Sequence, residues 1–481
     1  MAFHNRAHEL EDVRQALRSR RSELIIVYGR RGAGKSALLA EALQGQTHLF
    51  YQATTRALPQ QMEDLTTALQ AFAPEAMLLG VLPSFEAFLG VLTRIARARR
   101  DSPIIIVIDE LPYLAQADPA VPSVMQRWWD ETRTEGLTNL KVFLLGSMVS
   151  WMEEHTLSER GPLHNRRTGQ IKLDPLGYAE SALFYPAYTP VDRIAAYAIW
   201  GGLPSYICEI DPECGVWENV RDAVLPPAAR LADEPSWLRF TDLRSDIVYS
   251  SILRAIALGQ RQPSKIATAV GKNSGSDVMY HLEQLCDLRL VERVVPLHER
   301  HRQRSRNSLY RLADHYVAFW YRYVDRLRHL LGMRHYDEAL RQIQADFDKY
   351  VSEHAFEDIC RQFVWVACGA GRLPSQLSFD SLGSWWTARE DAMDELDVVA
   401  TDGGRAVLIG ECKWSVQKVD KRDLEGLQAA LRKAYGDLKP VDRPWRALFS
   451  KSGFTNDLIE LAANPAERIL LFSPEDLYPR A

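Results

Sequence analysis

A glycine-rich octet near the amino terminus has the residue types and spacing of a phosphate-binding loop. Its sequence is Gly29-Arg30-Arg31-Gly32-Ala33-Gly34-Lys35-Ser36, which matches the pattern G-x-x-x-x-G-K-[ST]. Glycines let backbone N–H groups close around a phosphate, the lysine can reach the β- and γ-phosphates, and the serine hydroxyl can hold Mg²⁺. The octet therefore predicts a site for a nucleotide with Mg²⁺. It leaves open whether the nucleotide is hydrolysed or only bound.

Two carboxylates follow a predicted buried strand at residues 103–108. Parallel strands point their carboxyl ends at the ligand edge of a sheet, so Asp109 and Glu110 are expected to face the phosphates. We expect Asp109 to orient the Mg²⁺ shell and Glu110 to polarise the attacking water. This pattern favours ATP as the nucleotide.

A polar residue, Ser147, ends the next predicted strand, at residues 141–146. It is a candidate γ-phosphate sensor, or else the N-cap of a helix that starts near Met148. Three arginines follow on a predicted loop and are candidates for neutralising charge in the transition state, within one chain or across a homo-oligomer. They are Arg160, Arg166 and Arg167, and solvated loop arginines are the alternative interpretation.

A second set of chemical residues lies near the carboxyl terminus, around a hairpin signal at residues 401–404. Glu411 and Lys413 are two residues apart on one predicted strand and share a face, which Asp397 on the preceding strand can also reach. Two carboxylates, with the Cys412 carbonyl, can bind Mg²⁺ or Mn²⁺, and Lys413 can orient a water. Glu357, on an upstream predicted helix, is a further candidate ligand. The alternative is an edge hairpin with solvated charges.

Between these sites, residues 245–330 predict three helices followed by a hairpin, the pattern of a winged helix. The predicted short helix begins at Ser264 as its N-cap. From Thr241 to Arg328 there are 15 Lys/Arg and 9 Asp/Glu, and much of the excess lies in the loop 298–306. A basic loop suits a DNA backbone, although winged helices also serve as spacers and protein-binding modules. The aromatic run at 316–324 favours core packing over base stacking.

These motifs resemble, in their order, the archaeal-type ATPases, AAA+/STAND-like P-loop NTPases of archaea and bacteria. The resemblance covers about residues 1–240 and is carried by Phe3-His4-Asn5-Arg6, the octet, Asp109-Glu110-Leu111-Pro112-Tyr113-Leu114, Gly146-Ser147-Met148, Arg166-Arg167-Thr168 and Gly201-Gly202-Leu203-Pro204 with Tyr206. Two departures are Ser147 where the family often has Asn, and the lack of a clear second sensor arginine in the helical lid.

The carboxyl-terminal residues Asp397, Glu411 and Lys413 resemble the restriction-endonuclease-like PD-(D/E)xK superfamily, over about residues 350–450, although no Pro precedes Asp397. The two resemblances together imply an α/β protein with four parts. These are a P-loop ATPase core at 1–177, a helical lid at 178–240, a winged helix at 241–335 and a nuclease-like α/β domain at 336–481.

Composition limits the remaining possibilities. The chain has 481 residues and a net charge of −5, so the molecule as a whole is not a basic nucleic-acid binder and any such surface must be local. Its six cysteines form no C-x-x-C pair, which fits a reducing cytoplasm, and no apolar run approaches the roughly 18 residues of a membrane span.

The sequence thus favours an ATP-hydrolysing protein that acts on DNA through the winged helix and a metal-dependent nuclease-like site. The first alternative is a nucleotide-controlled assembly or regulatory switch whose carboxyl-terminal domain binds without cleaving. A winged-helix transcription regulator ranks third, because simple regulators seldom need both acidic sites.

Overall fold

The protein is described from a computed structural model, which defines residues 5–74, 80–159, 161–233, 246–301, 305, 307–389 and 392–478. The chain divides into two compact units. The first comprises Met1–Pro175 with Leu203–Ser205, and the second comprises Leu176–Gly202 with Tyr206–Ala481. Within the described residues, no helix is both long and apolar enough to cross a membrane.

The first unit is a parallel sheet with flanking helices. Its elements are α1 (Ala7–Arg18), β1 (Glu23–Tyr28), α2 (Lys35–Ala42), β2 (Leu49–Gln52), α3 (Leu58–Phe72), α4 (Phe85–Ala98), β3 (Ile104–Asp109), α5 (Leu111–Ala117), α6 (Val121–Thr134), β4 (Leu140–Gly146), α7 (Val149–Met152), a π-helix (Glu153–Leu157) and β5 (Gly169–Lys172).

The sheet has the strand order β2-β3-β4-β1-β5, with every pairing parallel. Strands β1, β3 and β4 are buried along their whole length, as expected for apolar runs covered by helices on both faces. The strands predicted at 103–108 and 141–146 are therefore present as β3 and β4, and β1 leads into the octet. Their carboxyl ends meet at one edge, where the predicted nucleotide residues follow.

The second unit is longer and mixed. Its elements are α8 (Tyr178–Ser181), α9 (Pro190–Trp200), α10 (Pro204–Ile207), α11 (Val216–Ala223), α12 (Asp246–Ala257), α13 (Pro263–Ala269), α14 (Ser276–Asp287), β6 (Val291–Val294), β7 (Leu309–Leu312), α15 (His315–Phe319), α16 (Arg328–Gly332), α17 (Tyr336–Val351), α18 (Glu357–Gly369), β8 (Ser381–Arg389), β9 (Ala392–Asp402), β10 (Arg405–Lys413), α19 (Lys421–Leu438), β11 (Trp445–Ser450), α20 (Asn456–Ala462), β12 (Ile469–Phe472) and α21 (Pro474–Leu477).

The predicted order of three helices and a hairpin is present as α12, α13, α14 and the antiparallel pair β6–β7. One detail of the prediction is wrong. Ser264 lies inside α13, whose N-cap is Gln262, because Pro263 takes the first helical position, to which its fixed φ is suited. The aromatic run continues as α15 and a π-helix (Trp320–Val324), all of it buried, so the expectation of core packing is confirmed.

The carboxyl-terminal sheet has the strand order β12-β11-β10-β9-β8. Strands β8, β9 and β10 form an antiparallel meander, and β11 and β12 then add in parallel. The turn between β9 and β10 uses Gly403 and Gly404 at φ 56° and 77°, as the hairpin signal predicted. Helix α19 packs on the sheet through Leu424 and Leu427, which share a core with Trp385.

The loop of the β6–β7 hairpin contacts the edge strand of this sheet. Arg300 Nη2 donates to the Leu382 carbonyl at 2.9 Å, and Trp386 Nε1 donates to the Asn307 carbonyl at 3.0 Å. Leu297 joins the core around Trp385. The loop therefore covers the edge of β8, which would otherwise present unpaired backbone groups. Three of its four arginines, Arg302, Arg304 and Arg306, lie outside the described residues.

The hydroxyl of Tyr350 offers a test of how the second unit is held together. This buried side chain on α17 donates to the carbonyls of Ala198 at 3.1 Å and His315 at 3.0 Å. Tyr350→Phe keeps the shape and leaves both carbonyls without this donor, so we expect a loss of about 1–2 kcal/mol in the free energy of unfolding. Urea titration followed by circular dichroism measures it. Tyr435→Phe, at an exposed tyrosine, is the matched control; equal stability of the two variants would contradict this role.

Candidate functional site

The predicted phosphate-binding loop connects β1 to α2. Its backbone approaches other segments of the first unit so closely that side chains would not fit. A Cβ at Gly29 would lie 2.2 Å from the Leu173 carbonyl oxygen, and one at Gly32 would lie 2.2 Å from Ser205 Oγ. Both glycines have positive φ, 154° and 84°. The glycines of the motif are therefore required by the fold of the loop itself.

Lys35 is held at the mouth of this loop. Its ammonium donates to the carbonyls of Gly29 at 2.9 Å and Arg30 at 3.3 Å. Burial lowers the pKa of Lys35, and nearby Glu110 and Asp109 partly offset that effect. Among the described residues, the charge is met by neutral carbonyls and by carboxylates at longer range. A bound phosphate would offer it a far stronger partner.

Ser36 and Asp109, predicted to share one Mg²⁺, are in direct contact. Ser36 Oγ donates to Asp109 Oδ2 at 2.7 Å, while the backbone N–H of Glu110 donates to the other carboxylate oxygen at 2.9 Å. Asp109 is 2% exposed. A hydroxyl and a buried carboxylate at this spacing supply two oxygen ligands of the kind that Mg²⁺ takes in such sites.

Ser147 binds Glu110 rather than a helix end. Its hydroxyl and its backbone N–H donate to Glu110 Oε2 at 2.7 and 3.1 Å, and the N-cap of α7 is Met148. Glu110 itself has a left-handed backbone, φ 54° and ψ 47°. Such a conformation costs about 1–2 kcal/mol in a non-glycine residue and occurs mainly at functional sites. Ser147 therefore fixes the orientation of the expected catalytic carboxylate.

The candidate arginines have other partners. Arg166 forms an ion pair with Asp130 of α6 at 3.0 Å, and Arg167 Nη1 donates to the His164 carbonyl at 2.7 Å. In the part of the chain that the structure describes, the recorded hydrogen bonds of these two side chains do not reach the loop at 29–36. Arg160 lies outside the described residues.

A short segment that the sequence had not marked as functional also contacts the loop. The backbone N–H of Ser205 donates to the Gly32 carbonyl at 3.3 Å, and Pro204 lies next to Gly34. Leu203–Ser205 accordingly belong to the first unit, although the residues on both sides belong to the second. The Gly201-Gly202-Leu203-Pro204 run, quoted above only for the family resemblance, is the signal that could have identified this segment.

The second predicted site is a carboxylate cluster, formed by Glu357, Asp397 and Glu411 with Lys413. Asp397, on β9, is 6% exposed and accepts a hydrogen bond from the Cys412 N–H at 2.7 Å. Lys413 Nζ contacts Glu411 Oε1 at 2.5 Å on β10. The fold thus brings together residues that are far apart in sequence.

Arg361 joins the helix of this cluster to its sheet. It pairs with Glu357 at 3.4 Å, one helical turn away on α18, and it donates to the Asp397 backbone carbonyl at 2.8 Å. The position of Glu357 relative to β9 is therefore fixed by a charged hydrogen bond.

The carboxylates of the cluster repel one another. Burial, together with the neighbouring carboxylates of Glu357 and Glu411, raises the pKa of Asp397 well above its usual range. Burial and the same two neighbours also raise the pKa of Glu395. Glu395 was not predicted as a site residue. It lies two residues before Asp397 on β9, and the period of two in a strand could have identified it.

The oxygen-rich composition of the cluster fits a hard divalent cation such as Mg²⁺ or Mn²⁺, which would neutralise the crowded carboxylates. In the described parts of the chain, however, no group of three His, Cys, Asp or Glu side chains is already arranged to hold a metal ion. Two of the oxygens concerned are engaged, one by the Cys412 N–H and one by Lys413. Cation binding would require these two bonds to rearrange.

Comparison with known proteins identifies two regions of the chain. Residues 3–210 match a family described as an ATPase domain predominantly from Archaea. Residues 320–425 match a family described as archaeal and bacterial proteins of unknown function. An uncharacterized protein of Methanocaldococcus jannaschii is 27% identical over 437 residues, which is 91% of each chain.

Two solved structures are similar over a large part of the chain. A Walker-type ATPase of Pyrococcus abyssi has 19% identity and a TM-score of 0.48, covering 66% of this chain and 96% of its own. The ORC2 protein of Aeropyrum pernix has 15% identity and a TM-score of 0.44, covering 71% and 96%. The loop at Gly29–Ser36, the Asp109-Glu110 pair and the family match over residues 3–210 together show that the chain carries a nucleotide-binding P-loop ATPase domain of the archaeal type.

Proposed function

We propose that this protein hydrolyses ATP in its first unit and uses the nucleotide state to control metal-dependent hydrolysis of DNA phosphodiester bonds at the carboxylate cluster. The observation that carries the proposal is that the fold brings Glu357, Asp397, Glu411 and Lys413 together, with Asp397 buried beside the other two carboxylates. The resemblance to restriction-endonuclease-like enzymes is consistent with the antiparallel meander followed by α19 and the parallel strand β11.

In the ATPase part, each residue has a distinct task. Lys35 binds the β- and γ-phosphates once it leaves the loop carbonyls, and Ser36 with Asp109 would hold Mg²⁺. The cation, when bound, neutralises charge on the phosphates. Glu110 polarises the attacking water, and Ser147 holds Glu110 in place through the hydroxyl contact of 2.7 Å. Arg166 and Arg167 contribute to catalysis only if they leave their present partners.

In the nuclease part, Asp397 and Glu411 would hold the divalent cation, with Glu357 as a further ligand. The cation would stabilise charge on the scissile phosphate. Lys413, whose ammonium contacts Glu411, would orient the attacking water. Arg361 holds Glu357 beside β9 through its bond to the Asp397 carbonyl.

The path of the DNA in this proposal differs from the expectation based on the winged helix. The exposed residues of α14, the helix that would enter the major groove, include Asp277, Glu283 and Asp287. Three carboxylates among the exposed residues of this helix repel phosphates. Arg300, in the hairpin loop, donates a hydrogen bond to the Leu382 carbonyl on the edge of β8. We therefore assign DNA contact to the carboxyl-terminal site, and a spacer role to α14 and the hairpin loop.

A nucleotide-controlled switch is the second candidate, favoured by the engaged oxygens of the cluster and the lack of a preformed metal site among the described residues. In this case the carboxyl-terminal domain binds a partner or a second copy of the chain without cleavage. Light scattering with and without ATP distinguishes the two. The switch loses support if Lys35→Ala leaves mass and partner binding unchanged.

We expect Ser147→Ala to lower the kcat of ATP hydrolysis about tenfold with little change in KM, because the hydroxyl positions Glu110 and does not bind substrate. Glu110→Gln should cost at least about a hundredfold. A steady-state phosphate-release assay measures both variants. Ser123→Ala, which removes an exposed hydroxyl on α6, is the control. A Ser147→Ala enzyme with wild-type kcat would remove Ser147 from the mechanism.

Cleavage of DNA in Mg²⁺ or Mn²⁺ should fall at least about a hundredfold in Glu411→Ala, because the variant lacks a cation ligand and the partner of Lys413. Gel analysis of single-stranded, duplex and branched substrates, with and without ATP, measures the loss. Glu425→Ala, at an exposed glutamate of α19, should cleave like the wild type. If the wild type cuts none of these substrates, the nuclease assignment is wrong.

Asp397→Asn should raise the free energy of unfolding by about 1 kcal/mol in the presence of EDTA, since the amide ends the repulsion by Glu357 and Glu411 and can still accept from Cys412. Mn²⁺ should then stabilise the wild type but not the variant. Urea titrations in the two conditions test both statements. Asp402→Asn, in the exposed hairpin, should respond to Mn²⁺ as the wild type does. Equal stabilisation of all three proteins would argue against a cation at Asp397.

A further inference from the structure

Arg261 lies beside the carboxylate cluster, although it belongs to the connection between α12 and α13. Its backbone carbonyl accepts from the Tyr310 N–H of β7 at 2.8 Å, which fixes the position of the connection. Its Nη2 donates to the backbone carbonyl of Glu353, four residues before Glu357. The guanidinium is therefore held along the helical segment that presents Glu357 to the cluster.

The other arginines around this segment are neutralised by carboxylates. Arg322 pairs with Asp346 at 2.7 Å, Arg361 pairs with Glu357 at 3.4 Å, and Arg311 pairs with Glu292. Arg261 forms no ion pair in the part of the chain that the structure describes. Its bond to the Glu353 carbonyl uses one of its five N–H donors, and it is the one hydrogen bond recorded there for this guanidinium.

The guanidinium of Arg261 lies on the Glu353 carbonyl, four residues along the chain from Glu357, and its charge acts on Glu395 of β9. Glu395 packs among neighbouring atoms but keeps a solvent-exposed part, and Arg261 is only half-buried, so a ligand can reach both side chains. A half-buried guanidinium with free donors beside an open acidic site has the chemistry that binds a phosphate, since its planar fork can donate to two phosphate oxygens.

We propose that Arg261 is a phosphate-binding residue of the carboxyl-terminal site, and that it holds a DNA phosphate next to the scissile bond. The three-helix region would then contribute one fixed cation to the nuclease-like site instead of reading a DNA groove through α14. This inference rests on the proposed function, because it takes a phosphodiester as the substrate of the cluster.

Equilibrium binding separates this inference from the proposed cleavage. The probe is a short fluorescein-labelled DNA duplex, titrated with the full-length protein in Ca²⁺ and followed by fluorescence anisotropy at several salt concentrations. Arg261→Gln keeps a donor for the Glu353 carbonyl and removes the charge. We expect its Kd to rise about tenfold. The slope of log Kd against the logarithm of salt concentration should fall by about one, which corresponds to one lost phosphate contact. Arg261→Lys should recover part of the loss.

Arg326→Ala is the matched control, since it removes an exposed arginine of the same unit and should bind within about twofold of the wild type. Thermal unfolding of each variant shows whether the fold is intact. Wild-type affinity in Arg261→Gln, an equal loss in Arg326→Ala, or no binding by the wild type would each overturn the inference. A wild type that binds through Arg261 but does not cleave in Mg²⁺ or Mn²⁺ would refute the nuclease assignment alone.

Discussion

The repulsion among the carboxylates around Asp397 is the constraint on which the carboxyl-terminal half of the molecule depends. Burying an ionised carboxylate beside two others is unfavourable by several kcal/mol unless hydrogen bonds or cations offset it. The fold supplies part of that compensation through the Cys412 N–H on β10 and through Arg361 on α18. In the proposed function, a bound cation supplies the rest. The pairing of β9 with β10 and the placement of α18 are the features that hold the charges together.

The first unit also places two carboxylates side by side, and a series of hydrogen bonds holds them. Ser36 binds Asp109, the Glu110 N–H binds Asp109, and Ser147 binds Glu110. The carboxylates at this sheet edge are thus fixed by hydrogen bonds from protein groups. Lys35 is the cation of this site, and it occupies the loop carbonyls that surround the expected phosphate position. In both sites, charged side chains are hydrogen-bonded to other protein groups. A bound phosphate or cation could take the place of those protein groups.

The sequence could predict those parts of both sites that depend on local patterns. The octet at 29–36, the Asp109-Glu110 pair after a buried strand, and the alternation of Glu411 and Lys413 on β10 each follow from a few neighbouring residues. The contact of Ser147 with Glu110 could not be predicted, because it depends on the register of β3 and β4. The same holds for the contact of Ser205 with the loop at Gly32, and for the hairpin loop on the edge of β8. Arg261 approaches Glu353 only because β7 fixes the connection between α12 and α13.

The central claim is that the cluster at Asp397 and Glu411 binds a divalent cation for chemistry on DNA. A crystal structure of the full-length protein with Mn²⁺, ADP and a short DNA duplex tests it most directly, through the anomalous scattering of manganese. The account predicts one manganese peak between the carboxylates of Asp397 and Glu411, near the Cys412 carbonyl, and a second near Ser36 and Asp109. A peak near Ser36 with none at Asp397, at the same Mn²⁺ concentration, would contradict it.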